Sequence, residues 1–211
     1  WIAPKVYKEH KLYRKDDRKR HGGNLVTESS PTKLGNHIYL ASGSGHLFGY
    51  NLLKDTIDFD FYIGSDIDGS PVVTGDSCLL VTVEKQYIKG KGGLFKIDPN
   101  RPDTNCVVWY LPTGDKKYAD WKGGIIGSAA TNDGYDPKIH LAAVSGIDGY
   151  LYVVEHQTLS DSTTLGPRKE HRYPCPKIVY REYNGPSIST PVFTSSNLMA
   201  AGYKALNLYS Y

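Results

Sequence analysis

The chain has 211 residues, of which 39% are hydrophobic and 22% are charged, with 22 glycines and 12 prolines. This composition is typical of a globular domain and excludes a disordered, collagen-like or coiled-coil chain. Its apolar runs are far shorter than the roughly 20 residues that a membrane-spanning helix needs, so no transmembrane segment is predicted. The sequence opens on Trp1 and not on Met, which favours a processed product or a fragment.

The net charge of +3 is unevenly distributed along the chain. Residues 1–23 carry eight Lys or Arg against three Asp or Glu, whereas residues 24–211 carry 17 against 19. A run as basic as residues 14–21 suits a nucleic acid or an anionic surface. Because no aromatic base-stacking pattern accompanies it, a solvated segment is the favoured interpretation and a nucleic-acid partner is not expected. Residues 1–23 are therefore predicted to be a basic N-terminal segment.

The three cysteines, Cys78, Cys106 and Cys175, are widely separated and form no CxxC pair. Their spacing is unsuited to a structural metal site. Small buried hydrophobes or free thiols are the favoured interpretation. One disulfide between two of them stays open, so the cysteines do not decide the compartment.

Short runs of β-branched and aromatic residues, bounded by Gly, Asn, Asp or Ser, predict strands along most of the chain. In chain order the clearest runs are residues 37–41, 78–83, 139–144 and 151–154. Only residues 7–19 have the charge density of a helix, and their apolar stripe is thin. The sequence therefore predicts an all-β fold.

A four-strand unit recurs along the chain. Each copy begins with a small hydroxyl residue: Ser30, Ser70, Ser128 and Thr190, at intervals of 40, 58 and 62 residues. A turn, an apolar strand and a glycine-led third strand follow, and an aromatic-rich fourth strand closes the clearest copies. The extra length of the later copies is predicted to lie in loops. A four-stranded antiparallel sheet that recurs at this interval predicts the blades of a β-propeller.

The third and fourth strands carry a family resemblance. Residues 147–155 read IDGYLYVVE and residues 109–114 read WYLPTG. Both segments resemble the repeat of the pyrroloquinoline-quinone-type, or quinoprotein-like, β-propellers, and the resemblance covers about residues 25–211. It implies blades at 24–64, 65–120, 121–183 and 184–211, which make three blades and part of a fourth. Since propellers of this type close with more blades, the resemblance implies a partial propeller whose other blades lie outside this sequence.

Two features of the quinone enzymes of this family are missing. After the third strand, residues 50–55 and 154–159 lack the T-G-K and the spaced Trp of the tryptophan-docking repeat. The vicinal cysteine pair that lies over the cofactor in many of those enzymes is also absent. No cofactor is therefore predicted, with calcium or pyrroloquinoline quinone as the less favoured alternatives.

Ligands of propellers are usually bound at the funnel, by the loops that lead into the innermost strands. The candidate binding residues in these loops are Asp66, Asp68, Trp121, Lys122 and Asn184. The DIDG segment that contains Asp66 and Asp68 is similar to part of a calcium loop, but no bidentate Glu closes it, so a turn is favoured and no metal site is predicted. Trp121 is either an exposed anchor or an inter-blade packing residue, and both alternatives stay open.

The resemblance implies a non-catalytic propeller that binds a protein partner or acts as an assembly scaffold. The barrel-assembly lipoprotein of the bacterial outer membrane and luminal stress-sensor domains share the repeat and provide the precedent. The alternative is a quinone-dependent dehydrogenase or another enzyme with a funnel site. The same resemblance favours a periplasmic, luminal or extracellular location.

Overall fold

The computed structural model describes residue 5 and residues 7–211, and it is almost entirely β-structure. Residues 1–4 and 6 of the basic N-terminal segment lie outside the described residues. One short helix, α1 (Asp17–Arg20), precedes the strands, and a single 3-10 turn spans Asp103–Asn105. No helix in the described part of the chain is long and apolar enough to cross a membrane.

The strands form four antiparallel sheets, which we call blades 1 to 4. Blade 1 contains β1 (Thr32–Leu34), β2 (His37–Ala41), β3 (His46–Asn51) and β4 (Thr56–Tyr62); blade 2 contains β5 (Val72–Val73), β6 (Leu79–Val83), β7 (Gly93–Ile97) and β8 (Val107–Pro112); blade 3 contains β9 (Ala130–Thr131), β10 (Leu141–Ser145), β11 (Tyr150–Leu165) and β12 (Arg172–Tyr183); blade 4 contains β13 (Val192–Phe193), β14 (Asn197–Ala201) and β15 (Leu206–Ser210). Within each blade, strands that are consecutive in sequence are neighbours.

This architecture confirms the predicted partial propeller. Three blades have four strands, the fourth has three, and the sheets do not close into a ring. In the described part of the chain, no strand pairs with the outer edge of β15.

Three apolar cores lie between successive blades, and they explain the sequence pattern of the central strands. Leu79 and Val81 of β6 pack in the core shared with blade 1, whereas Leu80 packs in the core shared with blade 3. Because both faces of β6 are covered, all of its residues are buried, and all of them except Thr82 are apolar. On β15, by contrast, Leu206 and Leu208 are 63% and 62% exposed, so the described residues leave one face of blade 4 uncovered.

The hydroxyl residues that mark the repeat bond one blade to the next. The Ser30 N–H donates to Ser70 Oγ at 2.8 Å, and the Ser70 N–H donates to Ser128 Oγ at 2.8 Å. The Ser128 N–H donates to Thr190 Oγ1 at 2.9 Å. These three inter-blade hydroxyl bonds join the starts of the innermost strands of blades 1 to 4. The residues that begin successive repeats in the sequence are therefore the residues that bond to one another across neighbouring blades.

A second set of bonds joins blades 2 and 3 near their outer strands. Trp109 on β8 is fully buried, and its Nε1–H donates to the backbone oxygen of His156 at 2.9 Å. The same oxygen accepts a hydrogen bond from Lys96 Nζ at 3.0 Å. Lys96 is only 1% exposed, and its ammonium group is paired with the Asp76 carboxylate at 2.5 Å. The outer-strand tryptophan thus docks its blade on the following blade.

The hairpin of β11 and β12 extends beyond blade 3, and we call residues 156–177 the strap. Two shifts in the pairing register interrupt it. Its Tyr173 ring packs on Phe95 and Tyr110 of blade 2, with centroids 5.8 and 6.5 Å away. Beyond blade 2, the Arg168 guanidinium lies 5.0 Å from the Tyr62 ring of blade 1. The prediction that the extra length of this repeat lies in loops is therefore wrong, because paired strands contain much of it.

The N-terminal segment lies against blade 1, although most of its side chains, including six of the eight in the basic run 14–21, stay exposed as a solvated segment predicts. Lys8 Nζ lies 2.8 Å from the Asp55 carboxylate, and Arg14 Nε donates to Asp60 at 2.7 Å. The Arg14 guanidinium also lies 5.1 Å from the centre of the Phe48 ring. Basic side chains of the segment thus neutralise acidic side chains of the first blade.

We predict that Ser128→Ala destabilises the chain, because the Ser70 N–H loses its acceptor. A hydrogen bond of this kind contributes about 1 kcal/mol, which corresponds to a decrease in melting temperature of about 2–4 °C for a chain of this size. Thermal unfolding followed by circular dichroism measures the decrease. Ser195→Ala is the matched control, since Ser195 is exposed and in a turn. Equal melting temperatures for the two variants would contradict a structural role for the inter-blade hydroxyl bonds.

Candidate functional site

The candidate binding residues lie in loops at one end of the blades. In an antiparallel blade, the loop into the first strand and the loop from the second to the third strand lie at the same end of the sheet. Asp66 and Asp68 precede β5, and Glu84 directly follows β6. Antiparallel pairing therefore brings these three carboxylates together although they are up to 18 residues apart in sequence.

The three carboxylates form a cluster, which we call the acidic cluster. One oxygen from each of Asp66, Asp68 and Glu84 lies within 4.8 Å of the others. Asp66 is 6% exposed and Glu84 is 2% exposed. The Glu84 N–H donates to the backbone oxygen of Asp66 at 3.2 Å, and the Ser65 hydroxyl donates to the backbone oxygens of Glu84 and Gln86. These hydrogen bonds hold the loop before β5 against the end of β6.

Burial and mutual repulsion disfavour the charged forms of these groups. Burial, together with the charge of Glu84, raises the pKa of Asp66 to about 6. Burial, together with the charge of Asp66, raises the pKa of Asp68 to about 7. Burial also raises the pKa of Glu84 to about 6, although a hydrogen bond from Gln86 acts in the opposite direction. Near neutral pH the cluster therefore contains negative charge that the protein stabilises poorly.

Two further charges act on the acidic cluster. The exposed Glu28, in the loop that leads into blade 1, repels the charged forms of all three carboxylates. Lys122 is exposed and lowers the pKa of Glu84 by attraction. The predicted residues Asp66, Asp68 and Lys122 thus belong to one electrostatic neighbourhood.

Trp121 belongs to an aromatic patch in the next loop. Its ring stacks on that of Tyr118 with centroids 6.4 Å apart, and the Tyr203 ring packs edge-on against Tyr118 at 5.6 Å. Tyr118 and Trp121 line a cavity of about 70 Å³ together with residues that include Ile147, Pro186 and Ile188. Trp121 is half-buried, so it both packs and presents part of its ring.

Asn184 joins blades 3 and 4. Its Nδ2 donates to the Tyr209 hydroxyl at 2.8 Å, and its backbone N–H donates to the Gly149 oxygen at 2.8 Å. Its own backbone oxygen accepts from the Tyr203 N–H at 3.1 Å. These bonds give Asn184 an inter-blade contact role, and its link to the aromatic patch runs through Tyr203.

Sequence reasoning did not select Glu84 or Glu28. Glu84 lies at the end of an apolar strand, and Glu28 occupies the position in its repeat that Asp68 occupies, two residues before the initial serine. Alignment of the loops by their repeat position would have identified Glu28. The location of the loop after β6 at the same end of the blade would have identified Glu84.

A second cluster contains Asp133, His140 and His156, whose ligand-type atoms also lie within 4.8 Å of one another. Here the polar groups bond to one another: Asp133 Oδ1 lies 3.0 Å from His140 Nδ1 and 2.9 Å from His156 Nε2, and Asp133 Oδ2 accepts the Gly75 N–H at 2.6 Å. Lys96 Nζ lies 3.3 Å from His156 Nδ1. A buried ammonium group at this distance opposes a metal cation, so we interpret this cluster as a polar link between blades 2 and 3.

The three cysteines are free thiols. Burial raises the pKa of Cys78 to about 11 and that of Cys106 to about 12. These two groups are therefore protonated at neutral pH and do not offer the thiolate that nucleophilic or redox chemistry needs.

No protein-family model matches the sequence, and no curated protein matches it. Solved structures do match. The chain is similar to BamB from Moraxella catarrhalis, with 15% identity and a TM-score of 0.54, over 87% of this chain and 50% of that one. It is similar to a quinohemoprotein alcohol dehydrogenase from Pseudomonas putida, with 11% identity and a TM-score of 0.63, over 92% of this chain and 34% of that one.

The chain is also similar to the computationally designed Ika4 protein, with 9% identity and a TM-score of 0.50, over 87% of this chain and 92% of that one. At these identities the similarity shows the fold. Together with the four antiparallel sheets, the similarity to BamB and to the dehydrogenase supports the propeller fold predicted from the repeat. The chain spans half of the BamB chain and 34% of the dehydrogenase chain.

The acidic cluster is poorly suited to pyrroloquinoline quinone, which carries three carboxyl groups. Glu84 Oε1 is a buried oxygen that accepts no hydrogen bond from the described residues, and another anion beside it would add repulsion. Of the neighbouring lysines, Lys85 is paired with Asp115 at 3.0 Å. Without a bound cation, the acidic cluster therefore does not fit the quinone.

We predict that the acidic cluster destabilises the fold as the pH rises. The pKa of Asp68 is about 7 in the folded state, against an ordinary value of 3.8. Between these two pH values the folded chain keeps a proton on Asp68 that the unfolded chain has lost. The free energy of unfolding therefore falls as the pH rises toward about 7. In a chelating buffer, the melting temperature of the wild type should therefore decrease relative to that of Asp68→Asn between about pH 5 and pH 8.

Asp120→Asn is the control for this measurement, because it removes an exposed carboxylate from the neighbouring loop. Its melting temperature should follow that of the wild type across the pH range. If Asp68→Asn follows the wild type as well, the carboxylates are not coupled to folding.

Proposed function

We propose that this chain is a non-catalytic β-propeller domain that binds a protein partner through its funnel loops and acts as an assembly scaffold. The observation that carries the proposal is the composition of the loop end. The acidic cluster, with Glu28, adjoins the loop that contains Trp121 and Lys122. One surface thus combines buried negative charge with partly exposed aromatic rings.

Such a surface suits a partner segment in which basic residues alternate with apolar ones. Aromatic side chains that are held by their neighbours lose little entropy on binding, and they dominate the affinity of many interfaces. The Tyr118, Trp121 and Tyr203 rings pack on one another and are held in this way. The carboxylates attract Lys or Arg of the partner and repel acidic segments, which provides specificity.

The family resemblance and the neighbours support a scaffold role. The repeat resembles that of non-catalytic assembly and stress-sensor propellers, and BamB has a similar fold. We further propose a periplasmic, luminal or extracellular location, and blades outside this sequence that complete the propeller.

Only the similarity to the quinohemoprotein enzyme favours the alternative, a quinone-dependent dehydrogenase. Without a bound cation, the acidic cluster opposes a tricarboxylate cofactor, and the docking repeat and the cysteine pair are absent from the sequence. Titration with the quinone and calcium, followed by an assay of alcohol-dependent dye reduction, tests this alternative directly. Saturable quinone binding with dye reduction would replace the scaffold proposal.

We predict selective binding of a basic amphipathic peptide. Two fluorescein-labelled peptides of about 12 residues serve as probes, one with alternating Lys and Leu and one with Glu in place of Lys. Fluorescence anisotropy should show tighter binding of the Lys peptide, with an affinity that decreases as salt increases. Trp121→Ala should weaken it by roughly tenfold or more, because a partly buried aromatic anchor is lost.

The matched control is Tyr135→Ala, which removes an exposed aromatic ring from the turn between β9 and β10. Its affinity for the Lys peptide should equal that of the wild type. Equal affinities for the two peptides, or an unchanged affinity in Trp121→Ala, would refute binding at the funnel loops.

A further inference from the structure

Two buried oxygen atoms beside the acidic cluster accept no hydrogen bond and donate none within the described residues. They are Glu84 Oε1 and Thr82 Oγ1, whose residues are 2% and 1% exposed. Residues two apart on an extended chain project to the same side. Thr82 Oγ1 lies against Gly69, where a Cβ atom would overlap it, so this hydroxyl faces the loop that carries Asp66 and Asp68. Because buried polar groups are almost always paired, two unpaired oxygens at one place point to a missing partner.

Hydrogen bonds to backbone oxygens keep the carboxylates close to one another. The Ser65 hydroxyl donates to two backbone oxygens of the segment after β6, and the Glu84 N–H donates to the Asp66 oxygen. Gln86 Nε2 donates to Glu84 Oε2 at 2.9 Å, so only the other carboxylate oxygen, Oε1, is left without a hydrogen bond from the described residues. Asp66 and Glu84 are therefore kept close together although their charges repel each other.

The chemistry of these donors is specific. All are oxygen atoms, three of them from carboxylates, and no histidine or cysteine belongs to the cluster. A set of carboxylate and hydroxyl oxygens suits a hard divalent cation and not zinc or copper. Calcium is the better match than magnesium, because it accepts irregular geometry and a variable number of ligands, whereas magnesium demands a near-ideal octahedron.

We propose that Asp66, Asp68 and Glu84 bind a calcium ion, with the Thr82 hydroxyl beside it. The ion would supply the partner that Glu84 Oε1 lacks and would offset the repulsion among the carboxylates. It would also join the loop before β5 to the end of β6, in addition to the bonds that the Ser65 hydroxyl makes there. This site shares the acidic cluster with the proposed binding surface and rests on that proposal only for its place at the funnel loops; calcium binding by calorimetry and the peptide affinity of Trp121→Ala can fail separately.

The test is calorimetric titration of chelator-treated chain with CaCl₂ at about pH 7.5, where the carboxylates are largely ionised. We expect saturable binding of a single ion per chain. Asp68→Asn and Glu84→Gln should each weaken it by at least about tenfold, since each removes one negative ligand. Asp120→Asn should bind like the wild type. Binding that is absent in the wild type, or unchanged in both cluster variants, would overturn the proposal.

Thermal unfolding separates loss of the site from loss of the fold. Without calcium, Asp68→Asn and Glu84→Gln should melt at or above the wild-type temperature, since each variant relieves repulsion. Calcium should raise the melting temperature of the wild type and should raise that of the two variants only slightly. If KCl at equal ionic strength raises the melting temperature of the wild type as much as calcium does, the effect is charge screening and the proposed site is overturned. An equal gain with MgCl₂ would overturn the assignment of calcium.

Discussion

The fold depends on the bonds between blades, because the blades bury their apolar surface against one another. In blade 2, alternate residues of β6 supply two different cores, one completed by blade 1 and the other by blade 3. Apolar packing alone has no direction, so blades could slide past each other. The inter-blade hydroxyl bonds at Ser70 and Ser128 fix the inner ends of the blades, and the bonds to the His156 oxygen fix β7 and β8 of blade 2 on β11 of blade 3. Polar contacts thus set the position of each blade relative to its neighbours, and apolar burial contributes most of the stability of the fold.

The two ends of the row of blades differ in chemistry. On blade 1, the N-terminal segment covers the outer face and pairs its basic groups with Asp55 and Asp60. On blade 4, the free face presents Leu206 and Leu208. In repeat proteins, a terminal unit with a polar outer face prevents association, whereas an apolar face promotes it. Blade 1 is therefore protected by its segment, and blade 4 carries the face that favours contact with another sheet.

Sequence reasoning succeeded where chemistry repeats along the chain. The hydroxyl residues, the glycine-led third strands and the apolar runs predicted the blades, because each feature serves the same local purpose in each copy. It failed for the strap, since polar residues such as those at 156–164 have no apolar alternation, and their strand pairing follows from packing on blade 2. It did not identify the contacts between the N-terminal segment and blade 1, because pairs such as Arg14 with Asp60 are 46 residues apart. Charges that neutralise each other across such a distance leave no local pattern.

The candidate site was predicted in part for the same reason. Asp66 and Asp68 belong to a recognisable loop, and Trp121 to another, so both loops were found. Glu84 belongs to a different connection, and only the pairing of β5 with β6 brings that connection to the loop before β5. The pKa of Asp68 follows from burial and from Asp66, neither of which is visible in a linear sequence.

The acidic cluster is continuous with the bonds that fix the blades. Asp68 is two residues before Ser70, whose N–H and hydroxyl contact blades 3 and 1 respectively. Gly69 lies between them, packed so closely on Thr82 and on the Gly127 oxygen that it has no room for a side chain. A change of charge or ligation at Asp68 therefore acts on a short, tightly packed segment that already bonds to both neighbouring blades. Because such packing resists small displacements, the state of the cluster and the spacing of the first three blades are mechanically coupled.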